Sequence, residues 1–366
     1  MFLATEIIAP RPAPNRSTGA VAWMRKNLFA NVYSAIATLI ILGFFVYVLP
    51  QLFDWGITRA VWAPDAEACR AVQAGSCWGV IAEKYRLILF GRYPFEEQWR
   101  PLLATLLMIG LLVCSCIRAF WNKALPFLWV LILAIFFVLM YGGVLGLSKV
   151  ETDRWGGFPL SLLLSTISIV CAFPIAVLVA LGRRSRLPAI RTFCTVYIEL
   201  IRGVPLISVL FMASFMLPLF MPQGFSVDVL IRVLVGITLF AAAYMAEIIR
   251  GGLQAIPKGQ VEAAQSIGLS YWQTQNKIVL PQALAMVVPG IMNNFISIFK
   301  DTSLVTIVSL YELTGALGLA LNSDADWRPY KIQGYLFIAF IYFIGCFAMS
   351  RYSLWIEAQV NKSKLR

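Results

Sequence analysis

The residues best suited to chemistry stand in one string, NNFISIFKDTSLV. It sets Asn293, Asn294, Lys300, Asp301, Thr302 and Ser303 inside an apolar stretch of about Gln282 to Leu310. Ionisable groups inside such a stretch are expensive and usually face a bundle interior or a water-filled cavity. Lys300 and Asp301 are adjacent, so on a helix they do not face each other, and each needs another partner or water. A cavity offering an ammonium, a carboxylate and several hydroxyls would satisfy a small ligand bearing one charge of each sign. The competing reading is structural: the charges kink a long helix at a bundle contact. A second constellation lies in ELIRGVPL. Glu199 and Arg202, three residues apart, share a helix face and suit an interfacial ion pair. Gly203 and Pro205 loosen the helix beside them, so the functional alternative is a hinge or inner gate.

No histidine is present among the 366 residues, which removes histidine acid–base catalysis, a Ser-His-Asp triad and every histidine metal site. The sequence carries no phosphate-binding loop, no dinucleotide fingerprint, no CxxC pair and no GxSxG elbow. No metal, cofactor or catalytic residue is therefore expected. An ATP-driven machine built on this chain would take its ATPase from another chain.

The elements that position these residues follow from composition. The chain is 60% hydrophobic and 13% charged, with mean hydropathy +0.78. That is the profile of an all-α polytopic membrane protein, with the lipid bilayer as its solvent. The net charge of +12 fits loops rich in Lys and Arg on the inner side of a membrane rather than a nucleic-acid surface. Eight spans are expected, at about Asn31–Leu49, Pro101–Phe120, Leu125–Leu147, Pro159–Leu181, Thr195–Met221, Asp228–Glu247, Gln282–Leu310 and Gln333–Trp355. GRRSRLPAIR, residues 182–191, holds four arginines and no acid, which places it inside. Both termini then fall in the cytoplasm. Glu312, Asp324 and Asp326 fall in an outer loop, and the basic tail NKSKLR falls inside. Residues 1–27 read as a cytoplasmic tail, and 28–147 as three leading spans around a polar outer segment, 50–100. Its piece Val80–Phe90 suits an amphipathic surface helix. Residues 148–366 form a five-span C-terminal part, with a seam near Leu147–Pro159. Of seven cysteines, Cys69 and Cys77 fall in the outer segment, where an oxidising compartment permits a disulfide.

The longest polar interruption of the C-terminal part is Glu247–Pro281. Pro257 suits a first helical turn. Lys258 to Ile267 reads as a helix with Val261, Ala264 and Ile267 on one face. Gly268 is placed to end it. Ser270 and Gln273 fit a capping box for a second helix through Leu280, before Pro281 opens the next apolar segment. Two short helices with a glycine turn are expected, either as a plain amphipathic linker or as a docking element.

The spacing Glu262-Ala263-Ala264, three residues, Gly268, nine residues, Ile278-x-Leu280-Pro281 resembles the EAA motif of ABC importer permeases. ELIRGVPL, NNFISIFKDTSLV and AYMAEIIRGGLQAIPKGQ resemble segments of the polar amino-acid permeases of that class, with Val204 where threonine is common. LFGRYPFEEQWRP and DRWGGFPLSLLLST are similar to the M-type subunit of general L-amino-acid permeases. The resemblance implies a type I permease core that imports amino acids in the inner membrane. It implies a second permease subunit, two cytoplasmic ATPase subunits and a periplasmic amino-acid-binding protein as partners. It implies that Glu262, Ala263, Ala264, Gly268, Ile278, Leu280 and Pro281 carry ATPase coupling. A glutamate/glutamine importer is the narrower rival. A secondary transporter or channel would need coupling ions or a pore of its own. A membrane enzyme would need a catalytic cluster that the scattered carboxylates do not form.

Overall fold

The computed structural model describes residues 19–364, apart from 73, 223, 225 and 226. Most of the expected N-terminal tail, residues 1–18, and the side chains of NKSKLR lie outside the described residues. The chain forms two compact units that divide at Gly79–Val80. The segment 148–158, where the sequence places a seam, runs inside the second unit.

The first unit holds α1 (Ala20–Asn27), α2 (Val32–Phe53), a π turn at Asp54–Thr58 and α3 (Ala66–Ala71). Asn31 and Ser34 cap α2 reciprocally, with Ser34 N–H donating to Asn31 at 2.8 Å. Beyond α2 the backbone folds back on itself. Ser76 N–H donates to Trp55 O at 2.8 Å and Val61 N–H to Ser76 O at 2.9 Å. Trp78 donates its indole N–H to Gly56 O at 2.8 Å and stacks on Trp62 at 6.0 Å. Cys69 and Cys77, both buried, are disulfide-bonded in this fold, with Cα atoms 5.6 Å apart.

The second unit runs through α4 (Gly79–Phe90), α5 (Trp99–Cys116), α6 (Leu125–Tyr141), α7 (Gly157–Arg183), α8 (Pro188–Arg202), α9 (Leu206–Phe211), α10 (Val229–Ala255), α11 (Lys258–Ser266), α12 (Tyr271–Thr274), α13 (Leu280–Asp301), α14 (Leu313–Asn322) and α15 (Lys331–Lys364). Its centre is the pair α7 and α10. Ala172, Ala176 and Ala180 line one face of α7, and Ala241, Ala242 and Ala246 lie on α10, all with no exposed surface. Small residues let helix backbones approach where lipid supplies no hydrophobic drive. At Gly252 a Cβ would stand 2.7 Å from the Ala283 carbonyl, so α10 and α13 touch there through backbone.

Among the described residues six helices are long and apolar enough to cross a membrane, or seven if α8 and the stretch from Leu206 to Phe220 count as one. The third expected span is a helix of 17 residues, Leu125–Tyr141. At about 1.5 Å per residue it falls short of a hydrocarbon core about 30 Å thick. It stops at Gly142 and Gly143, which both hold positive φ, at 70° and 76°. The fifth expected span is not straight. It bends by 106° between Arg202 and Leu206, where Pro205 interrupts the helical hydrogen bonding. The seventh begins earlier than expected: α12, a π turn at Gln275–Val279, α13 and a 3-10 turn at Thr302–Val308 form one stretch of 38 residues.

Two buried polar knots tie the end of this unit away from α11. Arg100 is fully buried and donates to Leu139 O at 2.7 Å, to Ser148 O at 3.0 Å and to Glu97. Tyr93 donates to the carbonyls of Leu139 and Met140 at 3.1 and 3.0 Å. Burial pushes its hydroxyl up to about 12, so it remains a donor at neutral pH. Glu312, read from the sequence as falling in an outer loop, is fully buried as the N-cap of α14. It sits there because five donors converge on it.

Candidate functional site

The loop from α10 to α13 is built by local sequence. Pro257 holds the N-cap position of α11 with φ −58° and ψ 137°. Gly268 takes φ +78°, where a side chain is strained, and its N–H closes on Gln265 O at 3.0 Å. Ser270 and Gln273 form the capping box of α12, with Ser270 N–H donating to Gln273 Oε1 at 2.9 Å. Ala264 is buried, while Glu262, Ala263 and Gly268 are exposed. Ile267 does not join the inner face. It is 74% exposed because α11 ends at Ser266 and leaves Ile267 in the turn. Tyr271 and Trp272 are exposed beside it. Ile278 lies in the π turn, Leu280 is buried at the start of α13, and Pro281 is exposed in that helix's first turn. A cleft of about 290 Å³ lies behind α11, lined by Arg184, Lys258, Glu262, Gln265 and Gln275 among others.

At the same end of the unit an ionic cluster joins three helices. Glu199 and Arg202 do not pair with each other. Glu199 accepts from Arg183 at 2.7 Å, and Arg202 faces Glu247 at 4.0 Å. Glu247 also accepts from Arg183 at 2.9 Å and from Arg250 at 2.9 and 2.5 Å. Gly203 and Pro205, both exposed, form the 106° bend that follows Arg202. Glu247 and Arg183 were missed as site residues because their partners lie far away in sequence. The signal available was that α7 and α10 both end in charge near this loop.

The polar residues of α13 divide between two surroundings. Asn293 and Lys300 are exposed, two helical turns apart, with exposed Ser297 between them. Asn294 is half-buried, and its Oδ1 has no partner among the described residues. Thr302 is buried and donates to Phe299 O at 2.8 Å. Asp301 is half-buried. Lys300 and Ser303 meet on the wall of an open cavity of about 460 Å³ that Thr314, Tyr335 and Tyr342 complete. Asp301 and Thr302 are not on that wall. The cavity thus offers one ammonium and four hydroxyls against an apolar floor. Tyr335 and Tyr342 escaped sequence reading, although hydroxyls seven residues apart on one apolar helix share a face.

The described residues form an apolar helical bundle with a helix–turn–helix at one end and a polar stripe along one helix. The family described as "Binding-protein-dependent transport system inner membrane component" matches residues 172–362. The inner-membrane amino-acid ABC transporter permease protein YhdY of Escherichia coli is 45% identical over 97% of each chain. The glutamate/glutamine/aspartate/asparagine transport system permease protein BztC of Rhodobacter capsulatus is 34% identical over 99% of this chain and 98% of its own. A crystal structure of an amino acid ABC transporter with histidines is 27% identical, covering 56% of this chain and 92% of that one, with a TM-score of 0.49. The chain belongs to the family of binding-protein-dependent ABC transport permeases of the inner membrane. It is a multi-pass, non-catalytic subunit, and ATP hydrolysis belongs to separate subunits.

Proposed function

We propose that this chain is one transmembrane subunit of an ATP-driven importer of L-amino acids with broad range. It pairs with a second permease subunit, receives substrate from a periplasmic binding protein and docks two cytoplasmic ATPase subunits. The observation that carries this reading is the exposed α11–Gly268–α12 element, whose inner residue Ala264 seats it against the bundle while Glu262 and Ala263 stay free for a partner. Residues 148–366 are the permease core, with α11 facing the cytoplasm. The arginines at 183, 184, 186 and 191 lie on that same side, as positive-inside topology requires. The exposed stripe of Asn293, Ser297 and Lys300 favours a second subunit. Facing lipid, those groups would be costly, and facing a partner across water they line a path. In that path the Lys300 ammonium suits a carboxylate, with Ser303, Thr314 and Tyr335 supplying hydrogen bonds.

A narrower range, limited to acidic amino acids and their amides, is favoured by the substrates for which the BztC relative is named. Two measurements separate the readings. A mild-detergent pull-down of the tagged chain should bring down a second permease and an ATPase with a phosphate-binding loop. A chain that comes down alone or as a homo-oligomer sinks the importer reading in favour of a secondary transporter or channel. Uptake by the reconstituted complex should then extend to neutral aliphatic and basic amino acids. Uptake of only glutamate, glutamine, aspartate and asparagine decides for the narrow range.

A further inference from the structure

One carboxylate on α10 meets the last residues of two other helices. Glu247 lies on α10, eight residues before that helix ends at Ala255 and hands over to α11. Its oxygens meet Arg183, the last residue of α7, at 2.9 Å, and Arg202, the last residue of α8, at 4.0 Å. Arg250, one turn further along α10, forks onto both oxygens at 2.9 and 2.5 Å. Arg183, Glu247 and Arg250 are sheltered, with side chains 20%, 23% and 23% exposed, while Arg202 and Glu199 are more open, at 35% and 58%. Secondary contacts follow the same route. Arg184 donates to Leu253 O at 2.6 Å, Tyr244 donates to Arg202 O at 3.5 Å, and the Arg202 guanidinium lies 5.6 Å from the Tyr244 ring. Immediately beyond Arg202 comes the 106° bend.

We infer that Glu247 is the positioning residue that makes the coupling loop, the end of α7 and the bend after α8 move as one body. The inference rests on the importer reading above, because only a docked ATPase would push α11. Three guanidiniums and two carboxylates, those of Glu199 and Glu247, give the cluster a net charge of +1. Without Glu247 three guanidiniums face Glu199 alone, at +2, and Arg202 keeps only its contacts with Tyr244 to hold it against α10. Partly sheltered charges left without their counter-ion repel and re-solvate. The α8 bend then loses its ionic tie to the helix that leads into α11. A push on α11 would reach α10 without reaching the bend.

The test uses the complete reconstituted complex, with ATPases, partner permease and binding protein. It reads membrane abundance, ATPase co-purification, and amino acid imported per ATP hydrolysed. Glu247→Gln is expected to assemble and hydrolyse ATP while uptake per ATP falls at least tenfold. Glu247→Asp, which keeps the charge, is expected to recover a substantial part of that ratio. A purely structural role would lower abundance and leave the ratio unchanged, and that outcome overturns the inference, as does wild-type uptake per ATP in Glu247→Gln. Should Glu247→Gln fail to assemble, Arg202→Gln carries the test, since it removes only the tie at the bend: a fallen ratio supports the inference and an unchanged ratio overturns it. A wild-type complex that carries no ATPase or imports nothing overturns the importer reading itself, and the inference with it.

Discussion

The Tyr342 hydroxyl donates to Glu312 Oε2 at 2.7 Å, which fastens α15 to the cap of α14. The same oxygen accepts from Ser161 on α7 at 3.1 Å. The other oxygen accepts from Thr306 at 3.2 Å and from the backbone N–H groups of Thr314 and Gly315 at 2.8 and 3.1 Å. Four elements therefore meet on one buried carboxylate, and Tyr342 and Thr314 also line the candidate substrate cavity.

Glu312→Ala removes the acceptor and leaves these donors buried and unpaired, at about 1–3 kcal/mol for each that finds no other partner. It also removes an N-cap, at about 1 kcal/mol. Glu312→Gln keeps Oε1 for the two backbone amides, and its amide nitrogen donates to Ser161 and Tyr342, whose hydroxyls re-aim. The expected order of thermal half-life in detergent is wild type, then Glu312→Gln, then Glu312→Ala well below both. Equal half-lives for the two variants would show that the carboxylate acts through its charge rather than as an acceptor.

Gly268 gives a prediction that separates backbone shape from hydrogen bonding. Its φ of +78° costs an ordinary residue about 1–2 kcal/mol. No atom outside the turn lies within 4 Å of a Cβ there, so Gly268→Ala pays only that strain. Gly268→Pro demands a φ near −65° and deletes the N–H that closes on Gln265 O at 3.0 Å. In vesicle uptake assays, Gly268→Ala is expected to retain most of the wild-type rate. Gly268→Pro is expected to lose transport while its membrane abundance stays normal. Normal ATP-driven uptake by Gly268→Pro would remove the turn from the coupling route.

The sequence exposed those features whose cause is local. Pro257, Gly268 and the Ser270–Gln273 cap each act within about four residues; Gly268 and the cap stand where the spacing puts them, and Pro257 stands just before the first turn, at the N-cap. The helix entry at Pro281 was legible for the same reason, but the π turn at Gln275–Val279 was not, and it merges the second short helix into α13. Hydropathy carries no information on the burial of single charged residues, so the depth of Glu312 and of the fully buried Arg100 was not legible. The partner of Arg202 lies on another helix, and helical spacing pointed to Glu199, which pairs with Arg183 instead. Gly203 and Pro205 announced a weak point without its angle, because the bend depends on what α8 and α9 pack against.

Cys69 and Cys77 give a prediction by thiol counting. Both are buried and bonded to each other, while Cys114, Cys116, Cys171, Cys194 and Cys346 are free. After denaturation and blocking of free thiols, reduction of protein isolated from its native membrane should release two thiols for a mass-tagged maleimide. The Cys69→Ser/Cys77→Ser protein should release none. Losing a bridge eight residues apart in sequence costs about 2–3 kcal/mol by loop closure. Protease sensitivity within 54–79 should rise accordingly. No tagged thiols in the wild type would show the pair reduced, and would argue against placing this segment in an oxidising compartment.

Arg100 gives a prediction about a buried cation. Its guanidinium has no exposed surface and binds the carbonyls of Leu139 and Ser148 together with Glu97. It also lies 5.6 Å from the Tyr93 ring. A cation at the end of α6 complements the partial negative charge of the last carbonyls. Arg100→Met fills the volume but leaves Glu97 without its cation and the Leu139 and Ser148 carbonyls without a donor. Glu97, 28% exposed, can turn to water, so the loss falls mainly on the two carbonyls, at about 1–3 kcal/mol for each left unpaired. Arg100→Lys keeps the charge, but as a point charge it cannot span Leu139 O, Ser148 O and Glu97 at once. The expected order of half-life in detergent is wild type, then Arg100→Lys, then Arg100→Met. Arg100→Met/Glu97→Gln removes the unpaired charge and should recover part of the loss. If the double variant is no more durable than Arg100→Met, the cost lies in the α6 carbonyls rather than in the orphaned Glu97.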